Sequence, residues 1–161
     1  MMPVLDPRKG DEMTTAHDEH PEVNQMTAVG IRLNHTVRRI HCCGCSGVVD
    51  ARLTDGVEIY PHRTDLQSLP FWVCDACRNF VGCHHKTQNR IAPLGCIPTP
   101  ELKDARKQLH ALIDPIWRSG KMKRRELYAA IGRDLGLEYH TADIRTMDEA
   151  RAVYRTARKY A

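Results

Sequence analysis

The chain has 161 residues, 42 % of them apolar, with only two Phe and two Trp. That leaves room for one ordinary domain or two very small ones and excludes a large aromatic-rich core, so a metal staple would compensate for a small one. The formal charge is +4, divided as −4 over residues 1–30, +3 over 31–100 and +5 over 101–161, which directs any polyanionic partner to the C-terminal third.

Residues 1 to about 27 are rich in Asp, Glu, His and Pro, lack periodicity, and read as a disordered acidic tail. No apolar run in the sequence is long enough for a signal peptide or a membrane span. With seven cysteines and no secretion signal, the expected setting is cytoplasmic, with reduced thiols and metal rather than disulfides.

A ribbon-like β module is expected over 28–98. Alternating Val29, Ile31 and Leu33 suggest a first short strand. Ile40 leads into His41-Cys42-Cys43-Gly44-Cys45. Val48 to Leu53 and Val57 to Tyr60 flank Thr54-Asp55-Gly56, which predicts a hairpin turning on Asp-Gly. Phe71-Trp72-Val73 is a further strand running into Cys74-Asp75-Ala76-Cys77, and Asn79 to Cys83 another.

From residue 99 the periodicity becomes helical, giving a basic module of about three helices over 99–161 and an α+β chain overall. Leu102, Ala105, Leu109, Leu112, Ile113 and Ile116 mark the first helix, begun at Thr99 or Pro100 and kinked or ended by Asp114-Pro115. Leu127, Ala130, Ile131 and Leu135 mark a second, stopped near Gly136. The spacing of Thr146 and Glu149 is that of a capping box and opens a third through Ala150, Val153 and Ala157.

Chemistry concentrates in two Cys-x-x-Cys pairs, Cys42/Cys45 and Cys74/Cys77, with 28 residues between Cys45 and Cys74. Each pair makes a tight turn, and two such turns supply the four soft ligands of a Zn2+ tetrahedron. Cys43, Cys83 and His84 stand close enough in sequence to substitute for a ligand. A shell closed by four thiolates leaves no place for an activated water, which makes the zinc structural and argues against an enzyme built on it. Neither pair opens a helix of a βαβ unit, so a redox reading has little support.

Other clusters carry a sharp and a plain reading each. Cys83-His84-His85 could grip phosphate, or be a turn in which Cys83 packs and His84 bonds the backbone. His110 and Asp114, four apart on one helix, resemble catalytic wiring, or simply fix a helix end beside Trp117. A small nuclease would need Cys83, His84, His110 and Asp114 in one pocket, and the paired carboxylates of a two-metal nuclease are missing. Lys121, Lys123, Arg124 and Arg125, with Arg151 and Arg155 further on, suit phosphate contacts or a solvated face.

The order of motifs carries a resemblance. Cys42-x-x-Cys45, Trp72-Val73-Cys74-x-x-Cys77 and Val81-Gly82-Cys83-His84 are followed by Pro93-Leu94-Gly95, His110, Asp114-Pro115-Ile116-Trp117, Ser119-Gly120 and Arg125-x-x-Leu127-Tyr128. In this order the chain resembles the zinc-finger-containing domain family of small bacterial and phage proteins over about residues 40–160. The resemblance implies zinc and a ribbon followed by helices, and no established activity. The family's first knuckle usually reads Cys-Pro-x-Cys-Gly, whereas Cys43-Gly44 stands in the middle here and Ser46-Gly47 follows. The expected function is therefore a zinc-stabilised binding protein, contacting DNA, RNA or a nucleic-acid machine through its basic helices. The competing reading is an adaptor acting on a host or phage protein complex.

Overall fold

The computed structural model describes Leu33 and residues 35–161. The acidic tail and the strand expected around Val29 and Ile31 lie outside the described residues; Leu33 itself sits buried in a turn. Four antiparallel strands come first: β1 (Val37–Cys42), β2 (Gly47–Asp55), β3 (Pro70–Val73) and β4 (Phe80–Gly82), in the spatial order β1-β2-β3-β4. A four-residue helix, α1 (Gly56–Ile59), follows β2. Three longer helices follow the sheet: α2 (Pro100–Arg118), α3 (Arg124–Leu135) and α4 (Met147–Ala157). This is an α+β fold with a zinc-ribbon-like sheet.

The hairpin does not turn on Asp55-Gly56. It turns on the first cysteine pair: Cys42 faces Gly47 and Ile40 faces Val49 across β1 and β2. Asp55 instead caps α1, its carboxylate accepting from the Val57 N–H at 3.0 Å. The reason is an alternative partner for the chain after Gly56. Glu58 returns to the sheet, accepting from both Arg52 terminal nitrogens (3.0 and 2.9 Å), from Arg78 at 2.8 Å and from the Thr54 hydroxyl. Helical geometry makes that reach and an extended strand would not.

The Arg52 hydrogen bonds hold the Glu58 carboxyl down at about 2 from its usual 4.5, against the opposing effect of burial. A depressed carboxylate pKa stabilises above the unfolded value and loses that contribution as pH falls through the folded value. The gap in urea midpoint between the wild type and Glu58→Gln should therefore be constant from neutral pH to about 4.5 and close toward about 2. Because the partners are partly exposed, its full size is about 1 kcal/mol.

The apolar residues divide into two clusters. One gathers Ile40, Ala51, Leu53, Trp72, Val81 and Ile97 on the sheet. Trp72 is 1 % exposed, and its indole N–H donates to the Ile91 carbonyl at 2.7 Å. The other gathers Leu109, Ile113, Leu127, Ile131, Val153 and Ala157 among the helices. Ile97 joins the sheet edge, exchanging backbone bonds with His41 (2.9 Å) and Cys43 (2.8 Å), and the chain turns from there into α2.

The helix boundaries follow from local chemistry. Thr99 Oγ accepts from Leu102 N–H at 3.3 Å with Pro100 at the first position, as expected. Pro115 does not end α2, which continues to Arg118. Proline forfeits one intrahelical bond there, yet Ser119 N–H still reaches the Pro115 carbonyl at 3.0 Å, and Asp114 ties the last turn by accepting from Trp117 Nε1 and Arg118. Gly136 ends α3 at φ +67°, and Thr146 and Glu149 close a reciprocal cap on α4 at 3.1 and 3.3 Å.

Candidate metal centre

The first knuckle is the tip of the β1–β2 hairpin; the second is the turn between β3 and β4. Since β3 pairs with β2, the sheet register brings both turns to one end. There the sulfurs of Cys42, Cys45, Cys74 and Cys77 all lie within 4.8 Å of one another. The closest approaches cross between the knuckles, Cys42 Sγ to Cys77 Sγ at 3.4 Å and Cys45 Sγ to Cys74 Sγ at 3.6 Å. Zn–S bonds of about 2.3 Å in a regular tetrahedron place sulfurs about 3.8 Å apart, so the cluster fits one zinc ion with adjustments of a few tenths of an ångström at these pairs.

Backbone geometry supports the same assembly. Knuckle amides of Gly44 and Cys45 point at Cys42 Sγ, and the Asn79 amide points at Cys77 Sγ. A Cβ on Gly44 would lie 2.4 Å from Asn79 Nδ2 and 3.2 Å from Cys77 Sγ, so a larger residue there would have to displace the Asn79 side chain and press on the second knuckle. Crowding of the thiols, led by the hydrogen bond to Cys74, pushes Cys45 up to about 12. A divalent cation reverses that preference, because it binds the thiolate form.

The neighbouring candidates fall elsewhere. Cys43 points away from the cluster and meets Cys96, Sγ to Sγ 3.6 Å. Cys83 is packed in the sheet core, where burial pushes its thiol up to about 12. His84 lines a depression between the segment after β4 and the helices that His110 also lines. Asp114 stands behind His110, 3.5 Å from Nδ1. The structure thus brings His84 and His110 to one depression, with Cys83 in the core.

The basic residues divide between two places. Arg124 and Arg125 line the depression that His84 and His110 share. The Arg124 guanidinium lies over the Trp117 and Tyr128 rings, 5.7 and 5.2 Å from their centroids. Lys123 is the residue before α3, and Lys121 Nζ donates to the Tyr160 carbonyl at 3.0 Å. Arg151 and Arg155 line a separate depression between α2 and α4, and Arg151 pairs with Asp148 at 2.9 Å. Sequence reasoning missed Cys96, Arg106 and His140. Arg106 had a signal: it falls on the buried stripe of α2 with Leu102, Leu109 and Ile113.

Among the described residues, no helix is long and apolar enough to cross a membrane. A family model described as a zinc-finger-containing domain matches residues 38–160. No curated protein and no solved structure matches the chain.

Proposed function

Because the chain belongs to the family of the zinc-finger-containing domain, we infer that Cys42, Cys45, Cys74 and Cys77 hold a structural zinc ion, and that the sheet so stabilised presents the start of α3 to the phosphates of a nucleic acid. The observation that supports the nucleic-acid contact is how the cations are used. Arg118, Arg151 and Lys159 are each paired with a carboxylate within 3.2 Å. Among the described residues, no carboxylate pairs with Lys121, Lys123, Arg124 or Arg125. Arg124 also lies over two aromatic rings and donates to the Tyr128 hydroxyl at 3.3 Å. That lowers the entropy it loses on gripping phosphate and offers a stacking surface beside it.

Zinc acts here at a distance, by fixing the sheet whose edge the chain joins through Ile97 just before α2. The chemistry is electrostatic and binding alone: Lys123, Arg124 and Arg125 displace counterions from phosphates. Neutralising these three residues together should reduce the slope of log affinity against log salt by about 2 to 3, with zinc content unchanged. Fluorescence anisotropy of single- and double-stranded DNA and RNA at two salt concentrations measures this. Binding that ignores both salt and the triple substitution would refute the contact.

A further inference from the structure

The depression beside α3 has a volume of about 790 Å³. Six basic side chains line it from four parts of the chain: His84 after β4, Arg106 and His110 on α2, Arg124 and Arg125 on α3, and His140 ahead of the Thr141–Asp143 turn. No Asp or Glu is among the residues lining it. The three arginines keep their charge at any ordinary pH, so cations converge there with Asp114, behind His110, as the adjacent carboxylate. Such convergence is unfavourable by itself and favours an anionic ligand.

Arg106 is fixed in the wall of the depression. It is only 9 % exposed, and its terminal nitrogens are committed to the Cys96 sulfur at 2.9 Å, the Cys96 carbonyl at 3.4 Å and the Ile144 carbonyl. Its Nε–H, however, is buried with no hydrogen-bond partner, the one such side-chain nitrogen or oxygen among the described residues. A buried unpaired donor is costly, and this one, closed to solvent, lies behind the wall of the depression and not on its surface.

His140 is oriented as a donor: its Nδ1 accepts from the Ala142 N–H at 3.3 Å, which leaves the ring proton on Nε2 even in the neutral form. His110 is oriented differently, since its Nδ1–H faces the Asp114 carboxylate at 3.5 Å and Nε2 of the neutral ring is then an acceptor. The Tyr128 hydroxyl, bonded by Arg124 at 3.3 Å, adds a polar group, and Leu94 gives the lining an apolar patch. Gly95 keeps this wall closed: its φ is +86°, and a Cβ there would meet the Ala142 carbonyl oxygen at 2.4 Å.

We propose that this depression is a binding site for a phosphomonoester, the terminal phosphate of a nucleotide or of a nucleic-acid strand. Donors arriving from several sides of a concavity match the three free oxygens and double charge of a monoester. A phosphodiester offers two free oxygens with chain leaving on both sides, and fits an open stripe better. The volume is within the range of small-molecule sites and exceeds what a bare phosphate needs, which leaves space for an attached organic group. The site shares Arg124 and Arg125 with the nucleic-acid surface proposed above, but a free phosphomonoester suffices to fill it.

Calorimetric titration of the zinc-loaded full chain tests the site, with inorganic phosphate, adenosine 5′-monophosphate, adenosine, and one oligonucleotide with and without a 5′-phosphate. Adenosine 5′-monophosphate should bind at least about tenfold more tightly than adenosine, the worth of one charge-assisted hydrogen bond. Arg125→Gln and His84→Gln should each weaken it by a similar factor, and Arg151→Gln, on the other depression, should not. Preference for the 5′-phosphorylated oligonucleotide identifies a strand end as the source; equal oligonucleotide binding with retained monophosphate binding identifies a free nucleotide. If neither inorganic phosphate nor the monophosphate binds at millimolar concentration, the site is refuted, even where salt-dependent oligonucleotide binding survives. If the monophosphate binds and no oligonucleotide does, the site stands and the nucleic-acid surface falls.

Discussion

Replacing Cys74 with serine should abolish stoichiometric zinc binding and unfold the sheet. Structural zinc sites contribute about 10–16 kcal/mol of apparent binding free energy, as much as the whole stability of a domain, about 5–15 kcal/mol. The sheet has little to set against that loss. Its apolar cluster is small, and both turns that join β1 to β2 and β3 to β4 converge on the four sulfurs. Without the ion, four thiols remain in mutual contact within 4.8 Å, where closing the loops costs entropy and gains almost nothing. Trp72 reports the outcome, since it is 1 % exposed in the sheet core. Its fluorescence should move to the red in Cys74→Ser and in chelator-treated protein. The far-UV signal of α2, α3 and α4 should fall less, because those helices share their own apolar cluster. An unshifted Trp72 spectrum after complete metal removal would contradict this.

Trp72→Ala should separate packing from coordination. Truncating a buried tryptophan costs about 3–5 kcal/mol, and the Ile91 carbonyl loses its 2.7 Å donor. The variant should melt well below the wild type, yet while folded it should keep one zinc ion per chain, because Trp72 precedes the second knuckle without contributing a ligand atom. Loss of zinc at temperatures where the variant is still folded would show that coordination depends on this side chain, against the account given.

The parts of the fold that depend on neighbours in sequence could be read in advance. The caps at Thr99 and Thr146, the stop at Gly136 and the strands around Phe71 and Phe80 are local devices, and the structure holds all of them. The cysteine pairs were legible because a metal-binding turn has a fixed spacing. Asp55-Gly56 misled because a turn signal does not say which element follows; the Arg52, Thr54 and Arg78 partners that draw Glu58 into α1 lie on β2 and beyond the second knuckle. Pro115 did not place the helix end for a related reason, since one lost backbone bond in the last turn is offset by the Asp114 contacts around it. The basic depression was not legible as a unit. His84, Arg106, Arg125 and His140 are spread over 57 positions of sequence, and only the tertiary fold makes them neighbours.

Zinc-edge X-ray absorption on protein purified under reducing conditions, with metal content measured on the same sample, examines the coordination itself. One zinc per chain surrounded by four sulfurs at about 2.3 Å is the expected spectrum. A shell containing nitrogen would bring a histidine into the site and overturn the four-thiolate assignment, and protein that is folded with no bound metal would overturn the zinc itself.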